Sequence, residues 1–128
     1  EIPLLIRNSK MGVGVSNKII SLIEMPEIIK SLLEGRDYNV PNREYIKIVR
    51  SELYNPDFRF LYSSLGKETY LNAFEAFVFA DGYKLIIFSN GEVELYNNEE
   101  TRVLGREDLV KELVLKVKTD ITVCDLFA

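Results

Sequence analysis

The chain has 128 residues and a formal net charge of −4, from 16 Lys+Arg against 20 Asp+Glu, with no histidine and one cysteine. A composition 47% hydrophobic and 28% charged is that of an ordinary globular protein, and the length predicts a single domain, 1–128, with its own core. The missing histidine excludes Ser-His-Asp and Cys-His catalysis, His-ligated zinc and an imidazole pH switch assembled from this chain alone.

Taken in chain order, Ile2 to Arg7 reads as a first strand and Asn8 to Ser16 as a polar, glycine-bearing loop. Ser16 is a good N-cap for a helix in which Ile19, Leu22, Ile23, Ile29, Leu32 and Leu33 recur at three- and four-residue spacing. Pro26 interrupts that pattern, so the helix kinks there or restarts with Pro26 in its first turn, and Gly35 ends it. A second helix is expected from Pro41-Asn42, with Ile46, Val49 and Leu53 on one face and Asn55-Pro56 closing it. Phe58, Phe60 and Tyr62 alternate with Arg59 and Leu61 and read as a short strand.

The strongest local signal runs from Phe74 to Tyr96. Asp81-Gly82 and Asn90-Gly91 favour two-residue hairpin turns, which predicts a three-stranded antiparallel meander over 73–97, as 73–80, 83–89 and 92–97. Two-residue turns place Phe77, Phe79, Ile86, Phe88, Val93 and Leu95 on one face. They place Phe74, Ala76, Val78, Tyr83, Leu85, Ile87 and Tyr96 on the other, which is apolar too. A third helix begins near Glu107-Asp108, and 121–127 is available as a last strand. The expected fold class is α+β: an antiparallel sheet built around the meander, with two N-terminal helices and one C-terminal helix packed on it.

Four groups of residues invite chemistry. Gly12, Gly14, Ser16 and Lys18 lie between a strand and a helix and could cradle an anion or a nucleotide, although the stretch matches neither a phosphate loop nor a full G-x-G-x-x-G. A capped helix preceded by a loop accounts for the same residues. Arg43, Lys47 and Arg50 would line one stripe of the second helix and could meet phosphates, or simply face solvent. Glu92, Glu94, Glu99 and Glu100 form an acidic hairpin and turn without a nuclease or calcium-loop signature. Cys124, between Val123 and Asp125, lacks the cationic neighbour that a reactive thiol needs, and being alone it excludes an intrachain disulfide and fits a reducing compartment.

Glu52-Leu53-Tyr54-Asn55-Pro56, followed by Leu85 to Val93, is similar to stretches of a repeat of the TATA-box-binding-protein family, as is the order of helix, meander and closing helix. The resemblance covers two short pieces and implies a sheet face able to lie on a DNA minor groove. One copy instead of two, an acidic charge and a longer intervening segment depart from that family's pattern.

These readings converge on a non-catalytic protein–protein interaction module, a homodimer or a small subunit of a larger assembly, using Tyr83, Leu85, Ile87 and Tyr96 of the second sheet face. Nucleic-acid binding through a sheet face or the Arg43-Lys47-Arg50 stripe is the alternative, and a ligand sensor at the Gly12–Ser16 loop a third. No metal or cofactor is expected. No apolar run reaches the roughly 18 residues of a membrane span, and the apolar stretch Ile2 to Ile6 is too short for a signal-peptide core, so an intracellular, cytoplasmic protein is expected.

Overall fold

The computed structural model describes residues 4–6, 14 and 16–126. The chain divides into two compact units, Glu1–Ile46 and Lys47–Ala128. The expected first strand falls largely outside the described residues, and the part that is described, 4–6, has no regular structure.

In the first unit the chain enters a 3₁₀ turn, Leu22–Glu24, and passes directly into helix α1, Met25–Leu33. Pro26 sits in the first turn of α1, where its missing N–H costs no intrahelical bond; of the two courses open at that proline, the helix restarts. Ser16 caps no helix, because residues 16–21 are not helical; its Oγ accepts instead from the amide of Lys18 at 3.3 Å. Gly35, at φ 68°, reverses the chain after α1, and the Arg36 amide bonds back to the Ser31 carbonyl at 2.8 Å.

Two expected elements exchange type. The segment read as a second helix contains strand β1, Tyr45–Arg50, and the segment read as a strand is helix α2, Pro56–Ser64. In β1 the run Tyr-Ile-Lys-Ile-Val-Arg is dense in β-branched and aromatic residues, which lose rotamer freedom in a helix and suit a pleated surface. The helical spacing of Ile46, Val49 and Leu53 is coincidental. Asn55-Pro56, expected to stop a helix, starts one: Asn55 Oδ1 accepts from the Asp57 amide at 2.9 Å and Pro56 occupies the first helical position.

The second unit carries the remainder of β1 with α2, a 3₁₀ turn Glu68–Leu71, strands β2 (Phe74–Phe79), β3 (Lys84–Phe88) and β4 (Val93–Tyr96), and helix α3 (Glu107–Lys116). The fold is α+β, with three helices and a four-stranded antiparallel sheet in the order β1-β2-β3-β4. Segment 121–126, expected to add a strand, has no regular structure.

The meander forms, but in another register. Both hairpins close one residue wider than a two-residue turn: the Phe79 amide donates to the Tyr83 carbonyl at 2.8 Å and the Phe88 amide to the Glu92 carbonyl at 2.9 Å. Each loop therefore has three residues and ends on a glycine at positive φ, Gly82 at 97° and Gly91 at 86°. The pairs are Phe77 with Leu85, Glu75 with Ile87, Leu85 with Leu95 and Ile87 with Val93. One extra residue in each loop turns β3 over relative to both neighbours. Leu85 and Ile87 thus join Glu75, Phe77, Phe79 and Leu95 on one face, and Ile86 and Phe88 move to the other.

That first face is the centre of the core: Phe77, Leu85 and Ile87 are wholly inaccessible and Leu95 nearly so. Helix α3 packs against β3 and contributes Leu113 and Val117, both buried, from the stripe that its spacing marks. On the opposite face Tyr70 meets Phe88 edge-on, with ring centroids 5.7 Å apart, and Phe74 meets Phe88 at 5.8 Å.

Candidate functional site

The four residues expected to form an apolar contact surface do not share one. Leu85 and Ile87 are 0% exposed on the Phe77 face, and Tyr83 lies at the hairpin edge of that face. Tyr96 pairs with Lys84 on the opposite face, its hydroxyl donating to Glu94 at 2.7 Å. The turned-over β3 accounts for this separation.

The three basic residues are separated as well. Arg43 precedes β1 and pairs with Glu24, Nη2 donating to Oε1 at 2.8 Å, while Tyr38 donates to the same oxygen at 2.7 Å and the Ser21 amide to Oε2 at 2.8 Å. The Arg43 guanidinium, aided by the Tyr38 hydroxyl and the Ser21 amide, outweighs burial and holds the Glu24 carboxyl down at about 2. Lys47 and Arg50 are an odd number of residues apart on a strand and so point to opposite faces. Lys47 reaches Glu75, at 2.8 Å, and lies over Phe77; Arg50 lies over the Phe74 ring at 4.3 Å and donates to the Asn72 carbonyl at 3.1 Å. A phosphate stripe has no common surface here.

Of the anion-loop residues, Gly12 lies outside the described residues and Gly14 is exposed. Lys18 Nζ donates to the Val40 carbonyl at 3.0 Å. With Ser16 capping nothing, no helix N-terminus follows the loop.

The acidic residues also part. Glu94 is almost fully buried, and its carboxylate accepts from the hydroxyls of Tyr70 and Tyr96 and pairs with Arg102 at 3.2 Å. Burial, followed by the Tyr70 and Glu94 contacts, pushes the Tyr96 hydroxyl well above the usual tyrosine range. Glu92 accepts from Thr69 at the exposed end of the same strand. A carboxylate that only the fold reveals is Glu75, 1% exposed, which accepts from the Thr122 amide at 2.8 Å and from its hydroxyl. Among the described residues no group of three or more His, Cys, Asp or Glu side chains is placed to hold a metal ion.

Apolar side chains are exposed at several places, Leu22, Ile23 and Leu33 around α1 and Leu104 and Leu115 near α3 among them, and the exposed aromatic ones gather at α2 and its lead-in. None of the nine residues of α2 is buried. Phe60 is 77% exposed and Phe58 47%, Leu61 and Leu65 are exposed, and Tyr54, just ahead of the helix, is 71% exposed beneath the Arg59 guanidinium. At about 200 Å² per aromatic side chain, the three rings expose roughly 400 Å² in total, divided between two sides of the helix because Phe58 and Phe60 are two residues apart. Tyr62, whose ring lies 6.1 Å from that of Tyr70, ties the helix to the unit. The signal for this surface lies in the chain: Tyr54, Phe58, Leu61 and Leu65 are spaced four, three and four apart behind an Asn-Pro cap. Alternation of Phe58, Phe60 and Tyr62 conceals it.

No family model matches the chain, and no curated protein or solved structure matches it. No helix among the described residues is long and apolar enough to cross a membrane.

Proposed function

We propose that this protein is a non-catalytic protein–protein interaction module that docks through α2 and its lead-in, 54–65, within a reducing, intracellular compartment. The exposed apolar surface of α2 carries the reading: a nine-residue helix that buries none of its own residues leaves Phe58, Phe60, Leu61 and Leu65 in contact with water. Covering them is worth on the order of 25 cal/mol per Å², which favours association with a second copy or with another protein. The carboxylates favour the same reading, since Glu24, Glu75 and Glu94 each spend their acceptor capacity on cations, hydroxyls and amides of the chain itself. Nucleic-acid binding gains nothing comparable, because Arg43, Lys47 and Arg50 have separate internal partners and the second sheet face is itself covered, with Phe88 and Glu94 buried on it.

The test is sedimentation of the wild type and of a Phe60→Ser, Leu61→Ser double variant, alone and with a purified co-isolating protein. The wild type is expected to run as a dimer or as a defined complex, and the variant as a monomer with an unchanged thermal midpoint. A wild type that stays monomeric and forms no complex, or an assembly indifferent to the variant, refutes the proposal.

A further inference from the structure

The segment that follows α3 is held to the sheet in an unusual way. Residues 121–126 form no helix or strand, so their backbone takes no part in the sheet ladder. One carboxylate is central to their hold. Glu75 Oε2 accepts from the Thr122 amide at 2.8 Å, and Oε1 accepts from the Thr122 hydroxyl. Lys47 Nζ lies 2.8 Å from Oε1 and donates in turn to the Asp120 carbonyl and to Thr122 Oγ1. Glu75 and Lys47 both stand beside Phe77, so the segment is pinned over the β1–β2 half of the core face.

Beside this pin the packing is loose. Ile121, Val123, Cys124 and Leu126 are only half-buried, while Phe77, Val117 and Leu85 beneath the core face have no exposure at all. An open depression of about 470 Å³ is lined by Lys118, Ile121, Thr122, Cys124, Asp125 and Leu126. Segments with few buried apolar contacts open at lower free energy than the core they rest on. Polar contacts suit such opening, since each can be exchanged for water at small net cost. When the segment lifts, Glu75 keeps its Lys47 partner and gains water, so no bare charge is left in the core.

We propose that residues 120–126 are a strap that unlatches from the sheet while the rest of the unit stays folded, with Glu75 as the latch and Thr122 as the catch. Opening the strap uncovers Glu75 and the core face around Phe77, a second surface independent of α2. The device sits on the other side of the question of partner: it stands or falls without the proposed function of α2.

Cys124 is the chain's single cysteine and is half-buried in the strap, so a change in its labelling by a bulky aromatic disulfide reagent, relative to the wild type, reports loosening of the latch. Thr122→Val removes the hydroxyl from the latch and leaves the Glu75 charge, and with it the electrostatic setting of the thiol, in place. Losing a hydrogen bond to a charged group speeds labelling by about tenfold or more. Gly91→Ala, which strains a distant hairpin, serves as the control for global unfolding and leaves the labelling rate unchanged. In the wild type, the Thr122 and Val123 amides exchange with deuterium sooner than those of Leu85 and Ile87 in β3. Equal acceleration by both substitutions, no acceleration by Thr122→Val, or a common exchange rate for the four amides would each overturn the strap.

Discussion

Gly82 and Gly91 occupy equivalent places in successive three-residue hairpin loops, and replacing each by alanine separates two costs that glycine normally hides. Both have left-handed backbones, φ 97° and 86°, in which an L-residue costs about 1–2 kcal/mol. A Cβ on Gly91 meets nothing within 4 Å, so Gly91→Ala pays that conformational cost alone. A Cβ on Gly82 would stand 2.8 Å from Asn98 Cβ and 3.8 Å from Asn98 Cα. The nearer atom is rooted on the backbone and cannot swing aside like the end of a flexible side chain. The 97–100 turn that carries it must shift, although the Asn97 side chain bonds the amides of Glu99 at 3.0 Å and Thr101 at 2.9 Å. Overpacking of this kind adds about 1–3 kcal/mol. Urea denaturation is therefore expected to give a loss of about 1–2 kcal/mol for Gly91→Ala and about 2–5 kcal/mol for Gly82→Ala. Asn98→Gly, which removes the opposing Cβ, should recover the difference in a double-mutant cycle. Equal losses at the two glycines, or a cycle with no coupling between 82 and 98, would refute the close approach of the two turns.

Asn55→Ala removes the cap of α2 and is expected to lower stability by about 1 kcal/mol in the same assay, with no change in the circular-dichroism signature of the sheet. The Glu24 carboxyl should titrate near 2, against an ordinary value of 4.5, when followed by its side-chain carbon resonance. Because its folded value is depressed, the stability it contributes is fully present above pH 4.5 and is lost as pH falls toward 2. A midpoint between 4 and 5 would show that the Arg43 and Tyr38 contacts do not form in solution.

Much of the architecture was legible because it rests on local chemistry. The Asp-Gly and Asn-Gly dipeptides mark the two hairpins, since only residues tolerant of positive φ can end such loops. Pro26 and Gly35 bracket α1, and acidic residues at 107 and 108 open α3. The same kind of reasoning failed at Asn55-Pro56, because a residue before proline is extended whether it ends one helix or caps the next. Around it, β1 and α2 each fit both periods over a short run: Ile46, Val49 and Leu53 mimic a helix, and Phe58, Phe60 and Tyr62 mimic a strand.

The candidate site was far less legible. A helix interior and an exposed helix carry the same apolar spacing, so nothing local distinguishes Leu113, which α3 buries, from Leu61, which α2 leaves in water. Glu75 shows the same dependence in reverse. A carboxylate within Phe-Glu-Ala-Phe-Val-Phe signals a buried charge in need of a partner, but its partners come from 28 residues earlier, at Lys47, and 47 residues later, at Thr122.

The chain's own residues settled its α+β class, its two glycine hairpins and the absence of imidazole chemistry, because composition and turn conformation act over a few bonds. The facing of β3, the identities of β1 and α2, and the partners of Glu75 and Glu94 were decided only in three dimensions. One residue of loop length reverses every side chain of a strand, and a buried charge is satisfied only by groups that the folded chain brings to it.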